Sequence, residues 1–93
     1  MTKIFEVKAK DGRLVRLTEK QWLHINFRHP EMQSLVAEIE KALIDPTAIT
    51  QLSAEIAKFY KFIKDENKYI VVVVRVLNGD GFVVTSYKTK RIW

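Results

Sequence analysis

The chain has 93 residues, of which 47% are hydrophobic and 29% are charged, and this length predicts one domain with one core over residues 1–93. It contains no cysteine, which excludes disulfides, thiolate metal ligands and a cysteine nucleophile, and favours a reducing cytoplasm. No apolar run reaches the roughly 18 residues of a membrane-spanning helix, and the first residues lack a signal-peptide pattern. We therefore expect a cytoplasmic protein with no membrane partner.

The positive charge is concentrated in the second half of the chain. The net charge is +5; residues 1–47 carry 8 basic and 7 acidic side chains (a surplus of +1), and residues 48–93 carry 8 basic and 4 acidic side chains (a surplus of +4). Such a surplus favours a polyanion or an acidic protein as partner. The need for solubility explains it equally well.

The first elements are predicted to be a hairpin and a helix. Two short extended runs, residues 4–7 and 13–17, flank the turn dipeptide Asp11-Gly12, which predicts an N-terminal hairpin. Thr18 followed three residues later by Gln21 has the pattern of a capping box, so a helix should begin there.

Two helices are predicted to meet at a sharp corner. The first should end near His29, because Pro30 pushes the preceding residue out of the helical region. Pro30-Glu31 suits the first turn of a second helix, with an acid near its positive end. An apolar stripe at helical spacing follows, formed by Met32, Leu35, Val36, Ile39 and Leu43. Asp45-Pro46 should end this helix, which leaves the corner at residues 28–30.

The second half of the chain is predicted to form strands. Residues 49–52 suit a short strand, and the alternation over residues 57–63 favours another, with a helix as the alternative. Residues 68–77 include four consecutive valines, and a run that is apolar on both parities is typical of a central strand covered on both faces. Residues 78–81, Asn-Gly-Asp-Gly, predict a hairpin leading into a last strand over residues 82–87.

The register of this hairpin decides which side chains accompany Arg75. A turn that ends in a bulge at its second glycine would place Thr85 opposite Arg75. A plain two-residue turn would place Phe82 there and send Thr85 and Tyr87 into the core. We predict the bulge, because both hydroxyl groups then avoid burial without partners. An even-length polar turn before the central strand would add Tyr60 to the same face.

The order of elements predicts an α+β fold, with two N-terminal helices, after a short N-terminal hairpin, packed on one face of a twisted antiparallel sheet of three to four strands. The apolar positions 70, 72, 74 and 76 should meet the helices. The alternate positions, including Arg75, should face the more open side.

The reactive side chains of the chain suit acid–base catalysis without a metal ion better than other kinds of catalysis. The only histidines, His24 and His29, are five residues apart, which is not the spacing of a helical zinc pair, and no thiolate or third imidazole exists. No catalytic serine pattern, phosphate-binding loop or dinucleotide fingerprint occurs, so we expect neither metal nor cofactor. RNA cleavage suits what remains, because the ribose 2′-hydroxyl is a built-in nucleophile that needs only a base, an acid and a cation.

Ordinary structural roles explain the same residues. His24 can be a residue of an amphipathic helix, His29 can bond to the backbone at the corner, and Arg75 can pair with a carboxylate such as Glu31. The basic sheet half would then be a non-catalytic module that binds nucleic acid or an acidic protein.

Four motifs occur together: a Trp-x-His-Ile segment, a His-Pro-Glu corner, a Leu-x-Asp-Pro helix end and a closing Val-x-Thr-small-Tyr strand. With the valine-rich strand they occupy residues 22–25, 28–32, 43–46, 68–74 and 82–87. As a set they resemble a family of small prokaryotic and phage proteins described as nucleases of the barnase–EndoU–colicin–RelE type. The resemblance spans roughly residues 14–91.

The resemblance implies two N-terminal helices followed by a four-stranded antiparallel sheet. It implies a metal-independent endoribonuclease of toxin type, with RNA as substrate and a small acidic antitoxin-like protein as a possible partner. The catalytic residues that it implies, with histidine as acid or base and arginine on the phosphate, are His24, His29, Arg75, Thr85 and Tyr87. The family commonly has alanine where this chain has Ser86, and both suit a small inward-facing position.

Overall fold

The protein forms one six-stranded sheet and two α-helices in a computed structural model that describes residues 2–92. The elements in chain order are β1 Lys3–Lys8, β2 Leu14–Thr18, α1 Glu19–Arg28, a 3-10 turn Pro30–Met32, α2 Val36–Ile44, β3 Ala48–Gln51, β4 Ile56–Ile63, β5 Lys68–Leu77 and β6 Asp80–Thr89. The strands lie side by side in the order β1-β2-β6-β5-β4-β3. Met1 and Trp93, the ends of the predicted domain, lie outside the described residues.

The predicted α+β class with two helices is confirmed, but the predicted sheet of three to four antiparallel strands is wrong. The sheet is mixed, because the N-terminal hairpin joins it through a parallel pairing of β2 with the first residues of β6. Gly81 fits this pairing closely. A Cβ at this position would lie 3.1 Å from Cγ2 of Val15 and 3.2 Å from Cγ1 of Val74, so a larger residue would require these two side chains to shift by a few tenths of an ångström.

Helix α1 begins and ends where its capping residues predicted. The Thr18 hydroxyl accepts a hydrogen bond from the Gln21 backbone N–H at 3.2 Å, and the helix ends at Arg28 with His29 as its C-cap. The Gln21 side chain does not complete a reciprocal capping box; it donates to the backbone oxygen of Val84 in β6. This bond fixes α1 beside the part of β6 that does not pair with β2.

The prediction that the second helix begins at Pro30 is wrong. Residues 30–32 form a separate 3-10 turn, and α2 begins only at Val36. Both pieces bury apolar side chains, Met32 from the turn and Ile39 from the helix. A stripe at helical spacing is satisfied equally by one helix and by two short ones, so the pattern does not locate the break.

The core lies between the helices and one face of the sheet. Ile25 of α1 and Ile39 of α2 pack with Ile70, Val72 and Val74 of the central strand. The prediction that the even-numbered positions of this strand meet the helices is confirmed. The other face of the sheet carries the functional candidates.

The turn between β5 and β6 has the geometry that Asn-Gly predicts. Asn78 and Gly79 both have positive φ, 54° and 85°, as a type I′ turn requires. Arg75 therefore lies opposite Phe82, and the predicted pairing of Arg75 with Thr85 is wrong.

A bulge further along β6 nevertheless returns the hydroxyl side chains to the predicted face. Val83 pairs with Val74 and Thr85 pairs with Val73, so Val84 is the extra residue. Thr85 and Tyr87 then point to the same side as Arg75, as predicted, although the bulge is at Val84 and not at the turn glycine.

Replacing Gln21 by alanine should lower the free energy of unfolding by about 1 kcal/mol, because the Val84 oxygen at the bulge loses its side-chain donor. Urea unfolding monitored by circular dichroism measures this change. Gln33→Ala, which truncates an exposed glutamine outside the two helices, is the matched control. Equal stability of the two variants would contradict the proposed anchoring of α1 on β6.

Candidate functional site

The face of the sheet opposite the core presents three tyrosines. Tyr60 of β4 and Tyr87 of β6 flank Val71 of β5 in one cross-strand row, and Tyr69 lies in the next row beside Phe62. We call this surface, formed by the alternate residues of β4, β5 and β6, the tyrosine face. Tyr60 and Val71 are fully buried, so side chains pack over the middle of this face.

The corner after α1 brings an imidazole to Tyr87. Because α1 runs beside β6, its C-cap residue His29 lies with its ring centroid 5.7 Å from that of Tyr87, at an interplanar angle of 36°. Nδ1 of His29 is 3.7 Å from Oε2 of Glu31, and the His29 side chain is 33% exposed. At 3.7 Å this carboxylate is beyond hydrogen-bond distance, so the imidazole is able to exchange a proton with a ligand.

A lysine of β4, on the same face of the sheet, approaches the same tyrosine from the side of β5. Nζ of Lys58 lies 6.0 Å from the centroid of the Tyr87 ring, a distance typical of a cation–π contact. Within residues 2–92 Lys58 has no ion pair, so its charge is available to an anion. Sequence analysis missed this residue, although Lys58 shares the strand parity of Tyr60, which is the signal that places it on this face.

Thr85 completes the central group. It lies opposite Val73, and Lys58 lies opposite the same valine from the other neighbouring strand. Thr85 and Tyr87 are both half-buried. The structure therefore brings together three of the predicted residues, His29, Thr85 and Tyr87, with the unpredicted Lys58.

Arg75 lies at the far end of the tyrosine face. It is four positions along β5 from Val71, the partner of Tyr87, or about 13 Å, and two positions from Val73, the partner of Lys58 and Thr85, or about 7 Å. Its guanidinium Nη2 is 3.4 Å from Oε2 of Glu55, and the two side chains are 50% and 51% exposed. The carboxylate partner is thus Glu55 and not Glu31, which faces His29. Exposed ion pairs contribute only about 0–1 kcal/mol, so Arg75 remains accessible to a ligand.

His24 makes no side-chain contact with this group. It is exposed on α1, and among residues 2–92 its side chain has no hydrogen bond, ion pair or ring contact. The structure thus separates the two predicted histidines by their surroundings: one contacts the tyrosine face, and the other projects into solvent.

Among the described residues, no group of three or more His, Cys, Asp or Glu side chains is arranged to hold a metal ion. None of the helices in residues 2–92 is long and apolar enough to cross a membrane.

No protein-family model, no curated protein and no solved structure matches this chain. The resemblance to nucleases of the barnase–EndoU–colicin–RelE type therefore stays a prediction. The function is inferred below from the contacts on the tyrosine face.

Proposed function

We propose that this protein is a metal-independent endoribonuclease whose site is the group His29, Lys58, Thr85 and Tyr87. The observation that carries the proposal is the approach of an imidazole and an unpaired ammonium to the same tyrosine ring. A proton acceptor and a cation on one surface are two of the three groups that transesterification of RNA uses, and water can supply the third, the acid. The basic surplus of residues 48–93 favours a polyanionic substrate.

In this proposal His29 removes the proton from a ribose 2′-hydroxyl. The 2′-oxygen attacks the adjacent phosphorus, the bond from phosphorus to the 5′-oxygen breaks, and the leaving oxygen takes a proton from water. The products carry a 2′,3′-cyclic phosphate and a 5′-hydroxyl. Lys58 stabilises the negative charge that grows on the phosphoryl oxygens, and Thr85 and Tyr87 position the scissile phosphate by hydrogen bonds.

Arg75 has a different role from the one that the resemblance implies. At about 13 Å from the Tyr87 row it binds a neighbouring phosphate of the same RNA strand, where its planar fork suits phosphate oxygens. A small acidic protein of the antitoxin type would compete with RNA for Lys58 and Arg75 and thereby block the site.

The proposal is tested with purified protein and a fluorescent single-stranded RNA in buffer containing EDTA. We expect cleavage at the same rate with and without EDTA, and products that carry 2′,3′-cyclic phosphate ends. A requirement for added Mg²⁺, or products with 5′-phosphate ends, would contradict the mechanism.

A second candidate function is a non-catalytic module that binds nucleic acid or an acidic partner. The observation that favours it is that only one imidazole contacts the tyrosine face, while Arg75 already has a carboxylate partner. Such a module would bind RNA with an affinity that falls steeply with salt concentration, since each neutralised phosphate releases a counterion. It would bind the RNA used in the EDTA assay without cutting it.

A further inference from the structure

An aromatic pair lies beside the proposed site. The ring centroids of Phe62 and Tyr69 are 5.1 Å apart at an interplanar angle of 60°, and Tyr69 meets the buried ring of Tyr60 edge-on at 6.2 Å. Three rings thus form a chain across β4 and β5, from the interior of the face to its border. Phe62 is the last ring of this chain and remains 39% exposed.

The position of this pair relates it to the cleavage site. The row that contains Phe62 and Tyr69 is two residues along the strand from the row that contains Tyr60 and Tyr87, or about 7 Å. Lys58 is farther from Phe62, four positions along β4 or about 13 Å. A phosphate positioned by Tyr87 and a base bound at Phe62 are therefore close enough to belong to one RNA strand. Tyr69 holds the Phe62 ring from one side, which makes Phe62 a pre-oriented surface with an exposed side.

The chemistry of the border favours a nucleobase as its occupant. Exposed aromatic rings on a basic surface are the arrangement with which proteins bind single strands, because every base has a face that can stack. Bases in a duplex already stack on each other and do not offer this face.

We propose that Phe62, supported by Tyr69, is a stacking subsite for an unpaired base of single-stranded RNA, next to the cleaved phosphodiester. The proposal rests on the proposed function in that it places RNA on the tyrosine face. It adds a substrate class, single-stranded RNA, and a residue that binds the base and takes no part in the chemical step.

The test measures binding and not cleavage. The probe is a fluorescent 2′-O-methyl oligonucleotide, which lacks the nucleophilic hydroxyl, and its affinity is measured by anisotropy for the original protein and for Phe62→Ala. We expect the dissociation constant to rise roughly 5- to 150-fold, the range reported for loss of one stacked base. Phe62→Trp should retain the affinity, because it keeps an aromatic face.

The matched control is Phe27→Ala, which removes a phenylalanine that is 84% exposed on α1. It should leave the affinity within about twofold, because α1 is not part of the base subsite. A second probe with the same backbone but abasic at every position should bind the original protein and Phe62→Ala equally. Unchanged affinity of Phe62→Ala for the base-containing probe, or equal losses for both alanine variants, would overturn the subsite.

The outcomes separate this inference from the proposed function. Base-dependent affinity that requires Phe62, together with no cleavage of RNA in EDTA, would sustain the subsite and overturn the nuclease. Cleavage of RNA in EDTA, together with an affinity that is unchanged in Phe62→Ala, would support the nuclease and overturn the subsite.

Discussion

Replacing His29 by alanine should lower the rate of RNA cleavage by about 10²- to 10⁴-fold, the usual effect of losing a general acid or base. The imidazole lies with its ring centroid 5.7 Å from that of Tyr87, and alanine cannot accept a proton in its place. Affinity for a non-cleavable RNA should fall much less, because the cationic groups remain. Initial rates of cleavage in EDTA, with saturating RNA, measure the effect.

His24→Ala is the informative comparison for this variant. It removes an imidazole of the same helix that has no side-chain partner within residues 2–92, and we expect less than about a threefold change in rate. Thermal unfolding of both variants checks that neither loss reflects unfolding. Full activity of His29→Ala would remove the proposed base, and equal large losses would mean that both histidines act, as the resemblance implies.

Replacing Lys58 by alanine should lower the cleavage rate by about 10²- to 10³-fold, the magnitude seen when one stabilising group for a developing negative charge is removed. Lys58 carries an unpaired charge against the Tyr87 ring. The effect should appear mainly in kcat, because the charge on the phosphoryl oxygens grows only towards the transition state. Steady-state kinetics over a range of RNA concentrations separate kcat from KM.

Arg75→Ala is the control for this prediction, since it removes one positive charge from the same face. Because Arg75 lies about 13 Å from the Tyr87 row and binds a neighbouring phosphate in our proposal, its loss should raise KM and leave kcat nearly unchanged. If Arg75→Ala instead lowers kcat as strongly as Lys58→Ala, the arginine belongs to the chemical step and the assignment of Lys58 as the main cation is wrong.

The parts of the fold that local chemistry determines could be predicted from the sequence. The alternation of the valine-rich strand located its buried side, and Asn78-Gly79 specified the turn, because only residues that tolerate positive φ fit there. The parallel pairing of β2 with β6 could not be predicted in this way. It joins residues far apart in the chain, and nothing in the local pattern of either strand specifies the partner.

The bulge at Val84 has the same non-local origin. Gln21 reaches from α1 to the Val84 oxygen, so the register of β6 depends on where α1 packs as well as on the residues of the turn. The sequence therefore predicted the correct face for Thr85 and Tyr87 with the wrong partners for them. The alternation of side chains along β6 was sufficient to predict the face. The residues of the turn alone were not sufficient to predict the register.

The candidate site was predictable to a similar degree. Pro30 located the corner and therefore His29. The ion pair of Arg75 with Glu55 could not be predicted, because it depends on the register of β4 and β5. This register places Ile56, the residue after Glu55, opposite Arg75. Lys58 was missed because an isolated lysine in a strand is ordinarily a solvated residue. Only the contact with Tyr87 distinguishes it from the other lysines of the sheet half.

The most direct test of the central claim uses a DNA oligonucleotide that contains one ribonucleotide, incubated with the protein in EDTA and analysed by mass spectrometry. A site that uses the ribose 2′-hydroxyl as nucleophile should cut this strand once, on the 3′ side of the ribonucleotide, and leave a 2′,3′-cyclic phosphate. The His29→Ala protein, prepared in parallel, should leave the strand intact. Cutting at deoxynucleotides, or equal cutting by both proteins, would contradict the proposal that His29 activates the 2′-hydroxyl on the tyrosine face.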